Sequence, residues 1–153
     1  MASSGQTLSM IDLPNLRPTS DLELTELLSQ AQNVAIVGVS DKPGRASNDI
    51  ANYLAQYSGY NLYFVNPLLD SFMGHKVYSS LSEIPDEIDI VDVFRKISDL
   101  PQVFADAFTI SPKAIWLQLG IFDVNLAQEA TDWGIAVVMD RCIMVEHRKL
   151  IRK

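Results

Sequence analysis

Apolar runs of five to seven residues recur along the chain at 33–39, 61–66, 88–94, 114–119 and 135–139. Their length and their Val, Ile and aromatic content are those of strands buried in a sheet. The segments between them carry a helical period instead. Ser20 and Glu23 have capping-box spacing ahead of Leu24, Leu27, Leu28 and Ala31, which predicts a helix over 21–30. Ile50, Tyr53, Leu54 and Tyr57 fall at i, i+3, i+4 and i+7 in a helix over 46–57 that Gly59 ends. Ser98 opens a third helix, with Pro101 in its first turn and Leu100, Val103, Phe104 and Ala107 as its apolar positions. Asp123 opens a fourth, with Leu126, Ala127 and Ala130, closed by Gly134. Val77-Tyr78 reads as a short strand, 81–84 as one helical turn before Pro85, and 140–153 as a C-terminal segment holding one helix. Residues 1–18 show no period and read as a flexible N-terminal segment ahead of one folded domain, 19–153.

Apolar strands alternating with amphipathic helices imply an α/β fold whose parallel sheet is covered on both faces. Right-handed crossovers favour a single Rossmann-like, doubly wound sheet of about five main strands in the order 3-2-1-4-5. Such sheets bind ligands at the carboxyl ends of their strands, so the loops at 38–47, 65–70, 93–98 and 118–123 are where chemistry is expected.

Composition narrows the choice. The 153 residues are 48% hydrophobic and contain one cysteine, Cys142. A chain of this size forms a core without disulfides. The net charge of −7 argues against nucleic acid or an anionic membrane as partner. The basic tail, Arg141, Arg148, Lys149, Arg152 and Lys153 against Glu146, is read as a solvated terminus. No apolar run reaches the length of a membrane span and no signal peptide is evident, so a cytoplasmic protein is expected. Cys142, His147 and His75 do not form a metal-ligand pattern, and no Ser/His/Asp set exists.

The loop at 38–47 departs from the dinucleotide fingerprint G-x-G-x-x-G in an informative way. Gly38 stands at the first glycine, Ser40 at the second and Pro43 at the third. Lys42 and Arg45 add positive charge, and Ser40 and Ser47 add hydroxyl donors, ahead of a helix N-terminus that attracts phosphate. Valine at Gly38 is expected to block the phosphate and leave the sheet folded. Where an NAD site places an acid on the ribose, at the end of the second strand, this chain has Asn66-Pro67. Asn66 is either a ligand contact or a strand terminator. Arg95, at the end of the 88–94 strand, is a candidate phosphate ligand, while Gln118 can bond an amide and Gly120 permits close approach. Asp89 and Asp92, three apart, point to opposite faces and do not make a carboxylate pair. Cys142 is read as a packing residue, with a thiolate pair to His147 as the alternative.

Five ordered motifs carry a family resemblance. Val-Ala-Ile-Val-Gly38-Val39-Ser40-x-x-Pro43-x-Arg45-x-Ser47, Val65-Asn66-Pro67, Val91-Asp92-Val93-Phe94-Arg95, Trp116-x-Gln118-x-Gly120, and Met139-Asp140-Arg141-Cys142 with Glu146-His147 resemble the small stand-alone CoA-binding domain proteins. These are similar to the CoA-binding domain of succinyl-CoA synthetase and related acyl-CoA synthetases. The resemblance, over about residues 30–150, implies a Rossmann-type domain that binds coenzyme A or an acyl-CoA. The diphosphate would lie on Gly38, Val39, Ser40 and Arg45, with Lys42 and Ser47 close by. The adenosine would lie near Asn66 and Pro67, and the pantetheine arm toward Phe94, Arg95, Gln118 and Gly120. The phosphorylated histidine of the multidomain synthetases sits in a domain this chain lacks, so their reaction is not implied. The expectation is a small cytosolic binding module with no catalytic residues and no metal, partnered by the nucleotide ligand and by either a second copy or an acyl-CoA enzyme. The rival readings are an NAD(P)-dependent oxidoreductase and an interaction subunit without ligand.

Overall fold

The computed structural model describes residues 19–152, so the N-terminal segment at 1–18 lies outside the described residues. In chain order the elements are α1 (Asp21–Gln30), β1 (Asn33–Val37), α2 (Ala46–Tyr57), β2 (Asn61–Val65), β3 (Ser71–Phe72), β4 (His75–Tyr78), β5 (Ile90–Val93), α3 (Leu100–Phe108), β6 (Ala114–Leu117), α4 (Val124–Asp132), β7 (Ala136–Val138) and α5 (Ile143–Leu150). Short 3-10 turns at Leu81–Glu83 and Ile97–Asp99 precede β5 and α3. The capping box of α1 forms as its spacing predicts, with the Ser20 hydroxyl accepting from the Glu23 N–H.

The strands make one sheet in the order β3-β4-β2-β1-β5-β6-β7, parallel except where β3 and β4 form a hairpin. Over the five expected main strands the order is 2-1-3-4-5 rather than 3-2-1-4-5: the 88–94 strand, β5, pairs with β1, and the place beside β2 is taken by β4, which contains the short Val77-Tyr78 strand. The count is seven rather than five, because the β3–β4 hairpin adds two short strands at the edge beside β2. Side chains alternate across β1: Val34 and Ile36 join a core with α1, α2 and α5, while Ala35 and Val37 join a second core with α3 and α4. This is the period-2 alternation of a strand buried on both faces. Asp89 sits just before β5, where its carboxylate accepts from the backbone N–H of Gln32 and Asn33, each at 2.9 Å, and faces Lys113 at 3.4 Å. It therefore braces the amino edge of the sheet, away from Asp92. Among the described residues no helix is long and apolar enough to cross a membrane.

Candidate functional site

The strand register decides where the loops meet. Val65, Val37, Val93 and Leu117 stand in one row across β2, β1, β5 and β6. The residues that follow them, Asn66, Gly38, Phe94 and Gln118, therefore leave the sheet side by side at its carboxyl edge. Together with the start of α2 they enclose a cleft of about 780 Å³, within the ordinary range for small-molecule sites.

The loop before α2 carries the groups whose chemistry suits an anion. Arg45 is the N-cap residue of α2 but makes no side-chain cap, so the first-turn N–H groups of that helix are not capped by a side chain. The approach to the helix is held by short bonds. The Ser40 N–H donates to Ser47 Oγ at 2.9 Å, the Lys42 N–H to Ser40 Oγ at 3.1 Å, and Asn48 Nδ2 to the Ser40 carbonyl at 2.9 Å. Asn66 ties this loop to the next: its Nδ2 donates to the Val39 carbonyl at 2.7 Å and its Oδ1 accepts from the Leu68 N–H at 2.8 Å. Lys42, Arg45, Arg95 and Lys96 line the cleft with one acid, Asp41, and Arg95 is paired with Asp99 at 3.0 Å, which leaves a local excess of positive charge in a chain of net charge −7. The same cleft has apolar lining from Ile50, Leu69, Phe94, Leu119 and Ile121. The cleft thus combines cationic side chains with hydrophobic cover.

A sequence profile described as CoA binding domain matches residues 32–148. The chain belongs to the CoA-binding domain family. The Bacillus subtilis protein YneT is 38% identical over 84% of this chain and 94% of its own length. An ADP-forming acetate–CoA ligase from Methanocaldococcus jannaschii is 30% identical over 80% of this chain, which corresponds to 18% of the ligase. Among solved structures, a protein from Pyrococcus horikoshii superposes with a TM-score of 0.83 at 32% identity, covering 91% of this chain and 99% of its own. The family therefore includes stand-alone domains and the corresponding modules of larger ligases.

Of the residues that the sequence of this CoA-binding domain marks out, Gly38, Val39, Ser40, Lys42, Arg45, Ser47, Asn66, Phe94, Arg95 and Gln118 line the cleft together. Two do not. Pro67 lines a smaller neighbouring cavity with Ser79 and Asp99. The Gly120 N–H donates to Asp140 Oδ1 at 2.7 Å, so the glycine shapes the turn between two loops instead of approaching the cleft. Asn66 is a brace first, with one amide hydrogen and one oxygen lone pair left over. Gly38 also differs from expectation. Its φ is +85°, and an added Cβ would strike the Phe94 carbonyl oxygen and Arg95 Cδ, not the phosphate site. The apolar lining was missed in the sequence because Ile50 and Leu119 belong to elements whose period already accounts for them.

Asp92, on β5, is wholly buried beneath the cleft and receives a hydrogen bond from Gln118 Nε2 to its Oδ1, while Oδ2 has no partner among the described residues. Burial pushes its carboxyl up to about 8, with the Gln118 bond pulling weakly the other way. The bond fixes the Gln118 carboxamide at the cleft floor. Cys142 is buried yet lies on the cleft wall. It makes no pair with His147, whose Nδ1 shares a 2.9 Å hydrogen bond with the Tyr53 hydroxyl. His147 lines a separate cavity with Gln32 and Asn61, at the amino ends of β1 and β2, and burial followed by the nearby Arg152 holds its pKa below the usual imidazole value.

Proposed function

We propose that this CoA-binding domain binds coenzyme A or its thioesters as a small-molecule carrier or sensor module, without a reaction of its own. The observation that carries the reading is the cleft itself, which brings an α2 N-terminus without a side-chain cap and the cations Lys42 and Arg45 together with apolar cover from Phe94, Leu119 and Ile121. Coenzyme A has that combination, with phosphates on its nucleotide and an uncharged pantetheine arm. In this reading Gly38 to Ser40, Lys42, Arg45 and Ser47 take the diphosphate. The remaining valences of Asn66 face the adenosine, and Phe94 and Gln118 meet the arm. With its Nε2 directed to Asp92, Gln118 presents its carbonyl oxygen to a pantetheine amide N–H. The M. jannaschii relative named as an acetate–CoA ligase uses the same module within a longer chain. That favours an acyl-CoA enzyme or a second copy of this chain as a protein partner, and a location among the small metabolites of the cytoplasm.

Calorimetric titration with CoA and NAD tests the reading. CoA is expected to bind more tightly, since no acid stands at the end of β2 to hold a ribose; NAD binding as tight as CoA would overturn it. Arg45→Ala is expected to weaken CoA by roughly 1.5–3 kcal/mol at low salt, the range for charge-assisted hydrogen bonds. The loss should shrink as salt is added. A loss below about 0.5 kcal/mol, within the spread for neutral surface substitutions, would remove Arg45 from the site.

A further inference from the structure

Beside the cleft, at the same edge of the sheet, lies a second cavity of about 540 Å³. Its wall is mainly apolar, with Phe122, Val124, Val137, Met139 and Val145. Leu119 and Cys142 line both cavities, so the two spaces meet across these side chains. Leu119, Phe122 and Val145 are 66%, 52% and 44% exposed. Large apolar side chains gathered at one spot mark a binding surface rather than ordinary scatter. The two loops that frame the space are already braced. The Gly120 N–H donates to Asp140 Oδ1, the Asp140 N–H to the Ile121 carbonyl at 3.2 Å, and Trp116 Nε1 to the Arg141 carbonyl at 2.8 Å.

We infer that this second cavity holds the acyl group of a bound thioester, so that the preferred ligand is a CoA thioester whose acyl chain is apolar and longer than acetyl. The inference rests on the CoA reading given above. Sheet order supplies the geometry. The loops after β2, β1, β5, β6 and β7 stand in that spatial sequence. A ligand with its nucleotide over β2 and β1 and its arm over β5 and β6 brings its sulfur to Leu119 and Cys142, at the mouth of the second cavity. Charge runs the same way. The cleft carries the excess of cations, whereas in the second cavity Arg141 faces Glu146 at 3.7 Å and Asp140 is bonded to the Gly120 N–H. Nothing there recruits a second phosphate group, and the apolar wall suits a hydrocarbon.

The test is calorimetric titration of the full chain with CoA, acetyl-CoA and octanoyl-CoA, for the native protein and for Val145→Trp. Val145 lines the second cavity only and sits half-exposed on α5, so the larger side chain fills the space without entering the cleft. Each buried methylene strengthens binding about fourfold, so octanoyl-CoA is expected to bind at least about tenfold more tightly than acetyl-CoA. Val145→Trp should erase that advantage and leave CoA affinity unchanged. Equal affinity of the native protein for all three ligands overturns the inference and leaves the CoA reading standing; this comparison does not depend on the variant folding. Binding of none of them overturns both. A dimer that forms without ligand and persists when octanoyl-CoA is added would place a second copy in the cavity and overturn the inference.

Discussion

Gly38→Val is expected to destabilise the fold itself, not merely to empty the cleft. With φ at +85°, any side chain there is strained, and the new Cβ would meet the Phe94 carbonyl oxygen and, at 2.9 Å, Arg95 Cδ. Left-handed strain costs about 1–2 kcal/mol, and forcing atoms into a packed backbone costs about 1–3 kcal/mol more. Phe94 cannot yield easily, because its N–H is bonded to the Val37 carbonyl at 2.8 Å and this holds the first residue after β5 against β1. Even Gly38→Ala is therefore expected to lower the unfolding free energy by roughly 2–5 kcal/mol, read as a shift of the urea midpoint. Gly44→Ala is the control. Its φ of +88° carries the same strain, but nothing lies within 4 Å of the added carbon, so only the smaller cost should appear. Equal midpoints for the two alanine variants would show that contact with Phe94 is not what Gly38 avoids.

The second large effect belongs to Asp92. Its folded-state carboxyl titrates at about 8, whereas an unfolded aspartate titrates near 4. A group raised in this way supports the fold fully below about pH 4. Between about pH 4 and 8 the folded chain retains a proton that the unfolded chain has lost. Stability from this group then falls by about 1.4 kcal/mol for each pH unit. Asp92→Asn keeps the acceptor for Gln118 and removes the titration. The variant is expected to gain stability relative to the native protein as pH rises from 5 to 8, reaching several kcal/mol at the upper end. Denaturant midpoints at three pH values within that window check it, and parallel profiles for the two proteins would mean that Asp92 ionises normally in the fold.

Much of this architecture was legible before the structure. Val34 and Ile36 alternate with Ala35 and Val37, and Ile50, Tyr53 and Leu54 recur at helical spacing, because each element must bury one side and period reports that directly. The cleft was legible in outline for the same reason, since its loops follow the apolar runs, although the structure ends three of those strands at Val37, Val93 and Leu117, one or two residues before the runs end. What period cannot report is the path of the chain once it leaves the sheet. Pro67, one residue beyond Asn66, turns into a neighbouring cavity, and Gly120 gives its N–H to Asp140, twenty residues on. The strand β3 has two residues, too few to show alternation, and it exists because Met73 and Gly74, with φ of 53° and 77°, form a tight turn that returns the chain along β4. The bond between Gln118 and Asp92 joins the residue after β6 to its neighbour strand β5 and is visible only once the register is known.

The binding edge is gathered from most of the chain's length, and this sets the order in which it can become functional during synthesis. A nascent chain that has emerged as far as residue 100 already carries the 38–47 loop, the Asn66 brace and β1 between its two neighbours. It has not yet made Gln118, Leu119 or Cys142, and the arginine whose carbonyl receives the Trp116 indole comes at 141. Neither cavity therefore has its full wall until α5 has docked against α1 and α2. Under the proposed function, a ligand captured by the finished edge would join the first folded segments to the last. It would act as a late clasp on the newly made protein, with a strength that follows the free ligand concentration by mass action.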